Sequence, residues 1–141
     1  MAQASSAIDI AVSPNEVWQL IGGFNSLPDW QPFILKSELS EGGRVRHLAT
    51  PTGDTIIERL ERFDNTARTY SYSILKAPFK ITNYLATIRV NAKDGGSSSS
   101  VKWSGIFTSD GISDEEASKL FQGIFGDGLK ALAARFKSKK Q

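Results

Sequence analysis

The stretch DTIIERLERFDNTARTYSYSIL, residues 54 to 75, decides the fold. Its first half reads as a strand from Asp54 to Phe63. Side chains of a strand alternate faces with period two, so Ile56, Glu58 and Leu60 look one way while Ile57, Arg59, Glu61 and Phe63 look the other. Asp64-Asn65-Thr66 supplies turn chemistry. The second half repeats the pattern, with Tyr70, Tyr72 and Ile74 on one face and Thr69, Ser71 and Ser73 on the opposite one. One face of this hairpin is therefore oily but carries a carboxylate and hydroxyls. A solid core seldom holds an unpaired carboxylate because desolvating it is costly, whereas a ligand pocket uses such groups to orient what it binds.

Working outward, the same strand chemistry recurs at about 33–40, 44–49, 81–92 and 100–108, separated by Glu41-Gly42-Gly43, Thr50 to Gly53, Lys76-Ala77-Pro78 and Asp94 to Ser97. These separators have hairpin length, which predicts an antiparallel meander. The serine run Ser97 to Ser100 reads as a loose hairpin tip. Upstream, Ser6 to Val12 alternates as a first strand with Ile8, Ile10 and Val12 on one face. It then meets Ser13-Pro14-Asn15-Glu16, an N-cap, a proline at the first helical position and a glutamate two residues later. That helix stops at Gly22-Gly23, and Leu27-Pro28-Asp29-Trp30 turns the chain.

A second capping box, Ser113-Asp114-Glu115-Glu116, opens a final helix to about Lys137, with Leu120, Ile124, Leu129 and Leu132 near helical spacing. Gly123, Gly126 and Gly128 interrupt it, each at a cost of about 1 kcal/mol relative to alanine. Two readings stand side by side: the glycines leave room for a cavity under the helix, or they allow a kink or close packing on the sheet. The expected fold class is α+β, one domain over residues 1–141, with a curved seven-stranded antiparallel sheet wrapped around a long C-terminal helix and short helices between strands 1 and 2.

Composition narrows the function. The chain carries 17 basic and 15 acidic residues, and Lys137, Lys139 and Lys140 in the tail account for the excess. Without them the body has no basic face for nucleic acid. The tail 137–141 is expected to be solvated and disordered. There is no cysteine and a single histidine, His47, so disulfides, thiolate nucleophiles and multi-histidine metal sites are not expected. No stretch approaches the ~18 consecutive apolar residues of a membrane span, and Met1 to Ala7 has no signal-peptide pattern, so the expected address is cytoplasmic.

The chain resembles the START-like or Bet v 1-like (SRPBCC) superfamily, and within it the bacterial polyketide cyclase/dehydrase-type proteins. The residues that carry the resemblance are Ser13-Pro-Asn-Glu-Val-Trp18, Asp29-Trp30, Gly43-Arg-Val-Arg46, Glu58-Arg-Leu60, Tyr70-Ser-Tyr-Ser-Ile74, Asn83-Tyr84, Trp103-Ser-Gly105 and Gly128-Leu129. The resemblance spans nearly the whole chain and implies a helix-grip fold with a deep cavity for apolar or aromatic small molecules, lipids included. It extends distantly to the plant abscisic acid receptors. By that likeness Ile56, Glu58, Tyr72, Ile74, Tyr84, Ala86, Ser104 and Ile106 would point into the cavity, with Phe33, Leu120 and Ile124 closing it. Pro51 and Gly53 would belong to a gate, and Phe79-Lys80-Ile81 to a latch. Where those receptors place a lysine for the ligand carboxylate this chain has Gln31, which argues against that hormone.

Glu58 has three readings: a general base, a ligand-orienting acceptor, or the partner of a nearby cation such as Lys102. Tyr70, Tyr72 and Tyr84 could donate hydrogen bonds to a ligand or serve as amphipathic core. His47 reads as packing or rim, Trp18 and Trp103 as core, and Trp30 as part of the cavity mouth. The expected function is binding of a hydrophobic or aromatic small molecule as carrier, sensor or sequestering protein. The alternative is a cofactorless cyclase, aromatase or dehydratase in which Glu58 and the cavity tyrosines do acid–base work. No cofactor, metal or nucleic acid is expected, and the chain is expected to be a monomer or weak homodimer.

Overall fold

The computed structural model describes residues 1–139, with side chains described through Phe136. Its order is β1 (Ala2–Ile10), α1 (Pro14–Ile21), α2 (Leu27–Trp30), β2 (Lys36–Ser40), β3 (Val45–Ala49), β4 (Thr55–Asp64), β5 (Thr69–Lys76), β6 (Ile81–Lys93), β7 (Ser98–Ser109) and α3 (Asp114–Lys139). The expected α+β class holds. Of the tail expected at 137–141, the backbone to Lys139 continues α3, and the remainder lies outside the described residues.

Both capping boxes act as the sequence predicts. Ser13 Oγ accepts from the Glu16 amide at 3.4 Å, and Ser113 Oγ accepts from the Glu116 amide at 3.1 Å. Each serine satisfies one of the orphan amides of a helix start. All strand pairs are antiparallel, in the order β1-β7-β6-β5-β4-β3-β2. The turns Glu41-Gly42-Gly43 and Asp94-Gly95-Gly96 share one conformation, with φ values of 53°, 68° and 91° in the first and 52°, 69° and 99° in the second. Three consecutive positive φ values are cheap only where glycine follows the acidic residue.

The sheet curls around α3, whose core face is Ala117, Phe121, Phe125, Leu129, Leu132 and Phe136. This corrects the expected stripe in part: Leu129 and Leu132 are buried, but Leu120 is exposed and Ile124 half-buried beside the core face. Phenylalanines one turn apart carry the packing instead, with Phe121 tilted against Phe107 at 4.9 Å and Phe125 stacked on Trp103 at 4.8 Å.

Other strand details differ from expectation. A bulge between Leu60 and Arg62 shifts the phase of β4, so Phe63 turns to the inner face, pairs with Tyr70 and meets Trp18 at 5.8 Å. An extra residue in one strand reverses every side chain beyond it. The serine run is no loose tip: Ser98 to Ser100 pair with Lys93 to Asn91, and the buried Ser99 donates to the Val12 carbonyl at 2.7 Å. Trp30 does not rim the mouth but is buried against Trp103 at 5.6 Å.

Candidate functional site

A pocket of about 570 Å³ opens between the inner face of the sheet and the first half of α3. It exists because side chains are missing or turned aside there. A Cβ built on Gly123 would meet nothing within 4 Å, so this glycine borders empty space. The walls are mainly apolar, with Leu48, Ile56 and Ile74 from the sheet and Leu27 and Ile34 from the segment around α2. Phe33, 50% exposed, and Leu120, 41% exposed, stand at the opening.

The inner end carries a buried ion pair. Arg46 on β3 and Glu58 on β4 are direct cross-strand partners. Arg46 Nε donates to Glu58 Oε1 at 2.8 Å, and its Nη2 lies 2.7 Å from the same oxygen. Nη1 donates to the Phe24 carbonyl at 2.8 Å. The guanidinium lies over the Phe24 ring at 4.1 Å and faces Tyr72 at 4.9 Å, arrangements that favour a cation. Burial pulls the arginine's pKa down, but Glu58, Tyr70 and Tyr72 outweigh this and hold it above its usual value. Burial pushes the Glu58 carboxyl up, with Arg46 pulling against it.

Beside the pair, hydroxyls form a short chain. Trp103 Nε1 donates to Tyr72 Oη at 3.1 Å, and Tyr72 Oη lies 3.5 Å from Tyr84 Oη. Burial raises the Tyr72 phenol well above its ordinary value, reinforced by Tyr84 and Glu58, and burial likewise raises Tyr84. Both therefore stay protonated at working pH and can donate. On the α2 side the Gln31 amide lines the pocket, and its buried Nε2 has no hydrogen-bond partner among the described residues. An unpaired buried donor costs about 1–3 kcal/mol.

The family described as polyketide cyclase / dehydrase and lipid transport matches residues 1–137. The chain belongs to this polyketide cyclase/dehydrase and lipid transport family. It is similar to the solved protein XoxI from Bacillus cereus, at 57% identity over 100% of this chain and 99% of that one, with a TM-score of 0.96. An uncharacterized protein from Bacillus thuringiensis matches at 57% identity over 96% and 98% of the two chains, TM-score 0.94. A protein from Thermobifida fusca matches at 27% identity over 96% and 93%, TM-score 0.84. No match was found among curated proteins.

Against this polyketide cyclase/dehydrase frame the expected site residues divide. Phe33, Ile56, Glu58, Tyr72, Ile74, Tyr84, Leu120 and Ile124 come together on the pocket wall. Ala86 faces inward but lies buried, outside the lining. Ser104 and Ile106 are corrected: they lie on the outer face of β7, where Trp103, Gly105 and Phe107 take the inner positions. Lys102 lies on that outer face too, exposed, so the cation paired with Glu58 is Arg46. Pro51 and Gly53 sit exposed on the β3–β4 turn, which Thr50 closes through its own hydrogen bonds, and neither lines the pocket. Phe79 of the expected latch does line it, packed edge-on against Phe121 at 5.2 Å. His47 is part-buried on the outer side of β3, its Nε2 2.9 Å from Ser40 Oγ. Arg46 was not foreseen as a site residue, and Gln31, which the receptor likeness set at the ligand-carboxylate position, does face the pocket. Arg46 was recoverable, since equal steps outward from Thr52 along β3 and β4 reach Arg46 and Glu58 together.

No helix among the described residues is long and apolar enough to cross a membrane. Nor does any group of three or more His, Cys, Asp or Glu among them have metal-site geometry.

Proposed function

We propose that the chain binds a hydrophobic or aromatic small molecule in the pocket between the sheet and α3. The observation that carries this reading is the composition of the wall: apolar side chains around a few convergent polar groups, Glu58, Tyr72, Tyr84 and Gln31, in a space of about 570 Å³. Small-molecule sites have this size and makeup, with polar groups fixing orientation inside an apolar enclosure. Family membership is consistent with it.

Binding is favoured over the cofactorless cyclase or dehydratase reading because acid–base turnover needs a second group that exchanges the proton with the first. Glu58 is the one carboxylate that the sheet contributes to the wall among the described residues, it is already paired with Arg46, and the neighbouring Tyr72 and Tyr84 phenols hold their protons too tightly to act as bases. The test is direct titration with N-phenyl-1-naphthylamine, a neutral apolar fluorophore that brightens when shielded from water. Saturable binding by wild type, lost in Gly123→Leu with folding intact, is expected. Equal binding by both proteins would place the fluorophore elsewhere and overturn the reading.

A further inference from the structure

The ion pair at the inner end of the pocket is asymmetric in what it exposes. Glu58 lines the pocket, whereas Arg46, 1% exposed, does not. The guanidinium is sealed behind the carboxylate by the Phe24 ring and the Phe24 carbonyl. Both contacts from Arg46 fall on Glu58 Oε1, and Oε2 accepts no hydrogen bond from the described residues. The lining cation, Lys119, is highly exposed on the first half of α3 and lies 3.6 Å from Glu115. A ligand head in the pocket therefore meets an acceptor, two phenol hydroxyls and the neutral Gln31 amide, with no buried cation among the described lining residues to receive a negative charge.

We infer that the inner end of this pocket selects ligand heads by charge, accepting a neutral hydroxyl or N–H donor on Glu58 Oε2 and rejecting a carboxylate. The inference rests on the pocket being the binding site, and it adds the chemical class of head group that the site takes. Physically, a carboxylate carried to that point loses its hydration and faces a like charge. A hydroxyl keeps its hydrogen bond by exchanging water for Glu58. Hydrogen bonds to charged groups are the stronger kind, so one such bond separates otherwise equal ligands by about tenfold or more.

The experiment is displacement of N-phenyl-1-naphthylamine by a matched set, namely 2-naphthol, 2-naphthoate and naphthalene, at neutral pH. In wild type, 2-naphthol is expected to displace the probe at concentrations at least about tenfold below naphthoate, with naphthalene between them or close to naphthoate. Any apolar pocket disfavours an anion, so the deciding comparison is Glu58→Gln, which keeps size and removes charge. In that variant the gap between naphthol and naphthoate should close by about tenfold, mainly because naphthoate gains. Because Glu58→Gln leaves the Arg46 cation unpaired, Arg46→Met/Glu58→Leu, which removes both charges together, is measured beside it and should also close the gap. A gap that persists unchanged in the folded variant overturns the inference, as does naphthoate equalling naphthol in wild type. Failure of the probe to bind wild type, or its indifference to Gly123→Leu, would remove the pocket reading and this inference with it. Charge selection failing alone would leave probe binding and its Gly123 sensitivity intact.

Discussion

Arg46 and Glu58 hold each other in place across β3 and β4, and neither can be removed alone without stranding the other in a dry interior. Truncating one partner of a buried pair typically costs about 3–5 kcal/mol, while replacing both with apolar groups of similar volume is often neutral. Arg46→Met and Glu58→Leu are each expected to lose stability on that scale, and the double variant to recover most of it, as read from urea unfolding. Additive losses would mean that the two side chains act independently. Arg46→Met also carries a signed pH effect. Burial already raises the Glu58 carboxyl, and Arg46 supplies the opposing pull. A carboxyl that holds its proton more tightly folded than unfolded stabilises the fold in acid, and that stabilisation is lost as pH climbs from the ordinary carboxylate range through the raised value. The variant should therefore be more stable near pH 5 than near pH 8, by a wider margin than wild type. Flat unfolding midpoints across that range would show that Glu58 has reached solvent.

Within α3 the glycines divide by what lies beneath each. Gly123 borders empty pocket, whereas a Cβ on Gly128 would come within 2.3 Å of Gln31 Nε2 and 2.7 Å of Trp103 Cζ3. The two readings of the helix glycines therefore attach to different residues: Gly123 stands open beside the pocket, and Gly128 packs closely on its neighbours. Gly123→Ala should stabilise the protein by about 0.5–1 kcal/mol through helix propensity. Gly128→Ala should destabilise it by about 1–3 kcal/mol, because Gln31 and the Trp103 ring must yield. Chemical denaturation of the two variants gives the comparison, and shifts of the same sign would refute this account. On β7 the inward residues implied by the receptor likeness, Ser104 and Ile106, are one position out of phase, and the sequence offers no parity signal to correct them. In Trp103-Ser104-Gly105-Ile106-Phe107 both alternations contain apolar residues, and Gly105 has no side chain to distinguish them. Its inward position follows from Phe125, whose Cζ lies 3.3 Å from where a Cβ would stand. That contact joins residues far apart in sequence, so strand parity could not reveal it.

For the molecule as a whole, the element order was legible because each boundary has a local cause: serine caps at Ser13 and Ser113, glycine turns at Gly42 and Gly95, and period-two strands between them. The pocket was legible only as chemistry, through Glu58 among Ile56, Tyr72 and Ile74. Its boundary depends on the turn of Gln31 and Phe33 toward the sheet and on Phe79 packing edge-on against Phe121 of α3, both products of tertiary packing. A fold that leaves about 570 Å³ partly open and a buried amide of Gln31 unpaired forgoes stability that a ligand could restore. Binding to the folded state alone adds about 2.7 kcal/mol at a free ligand concentration one hundred times Kd. For a domain of this size that corresponds to a rise in Tm of roughly 5–10 °C. N-phenyl-1-naphthylamine at saturation should produce such a rise in wild type and in Gly123→Ala, which adds only a methyl group to the wall. Gly123→Leu should unfold at a temperature independent of the fluorophore, because its side chain occupies the space the ligand needs. A rise of equal size in Gly123→Leu would mean that stabilisation comes from binding at another surface, such as the exposed apolar pair Leu85 and Ile106 on the outer face of the sheet.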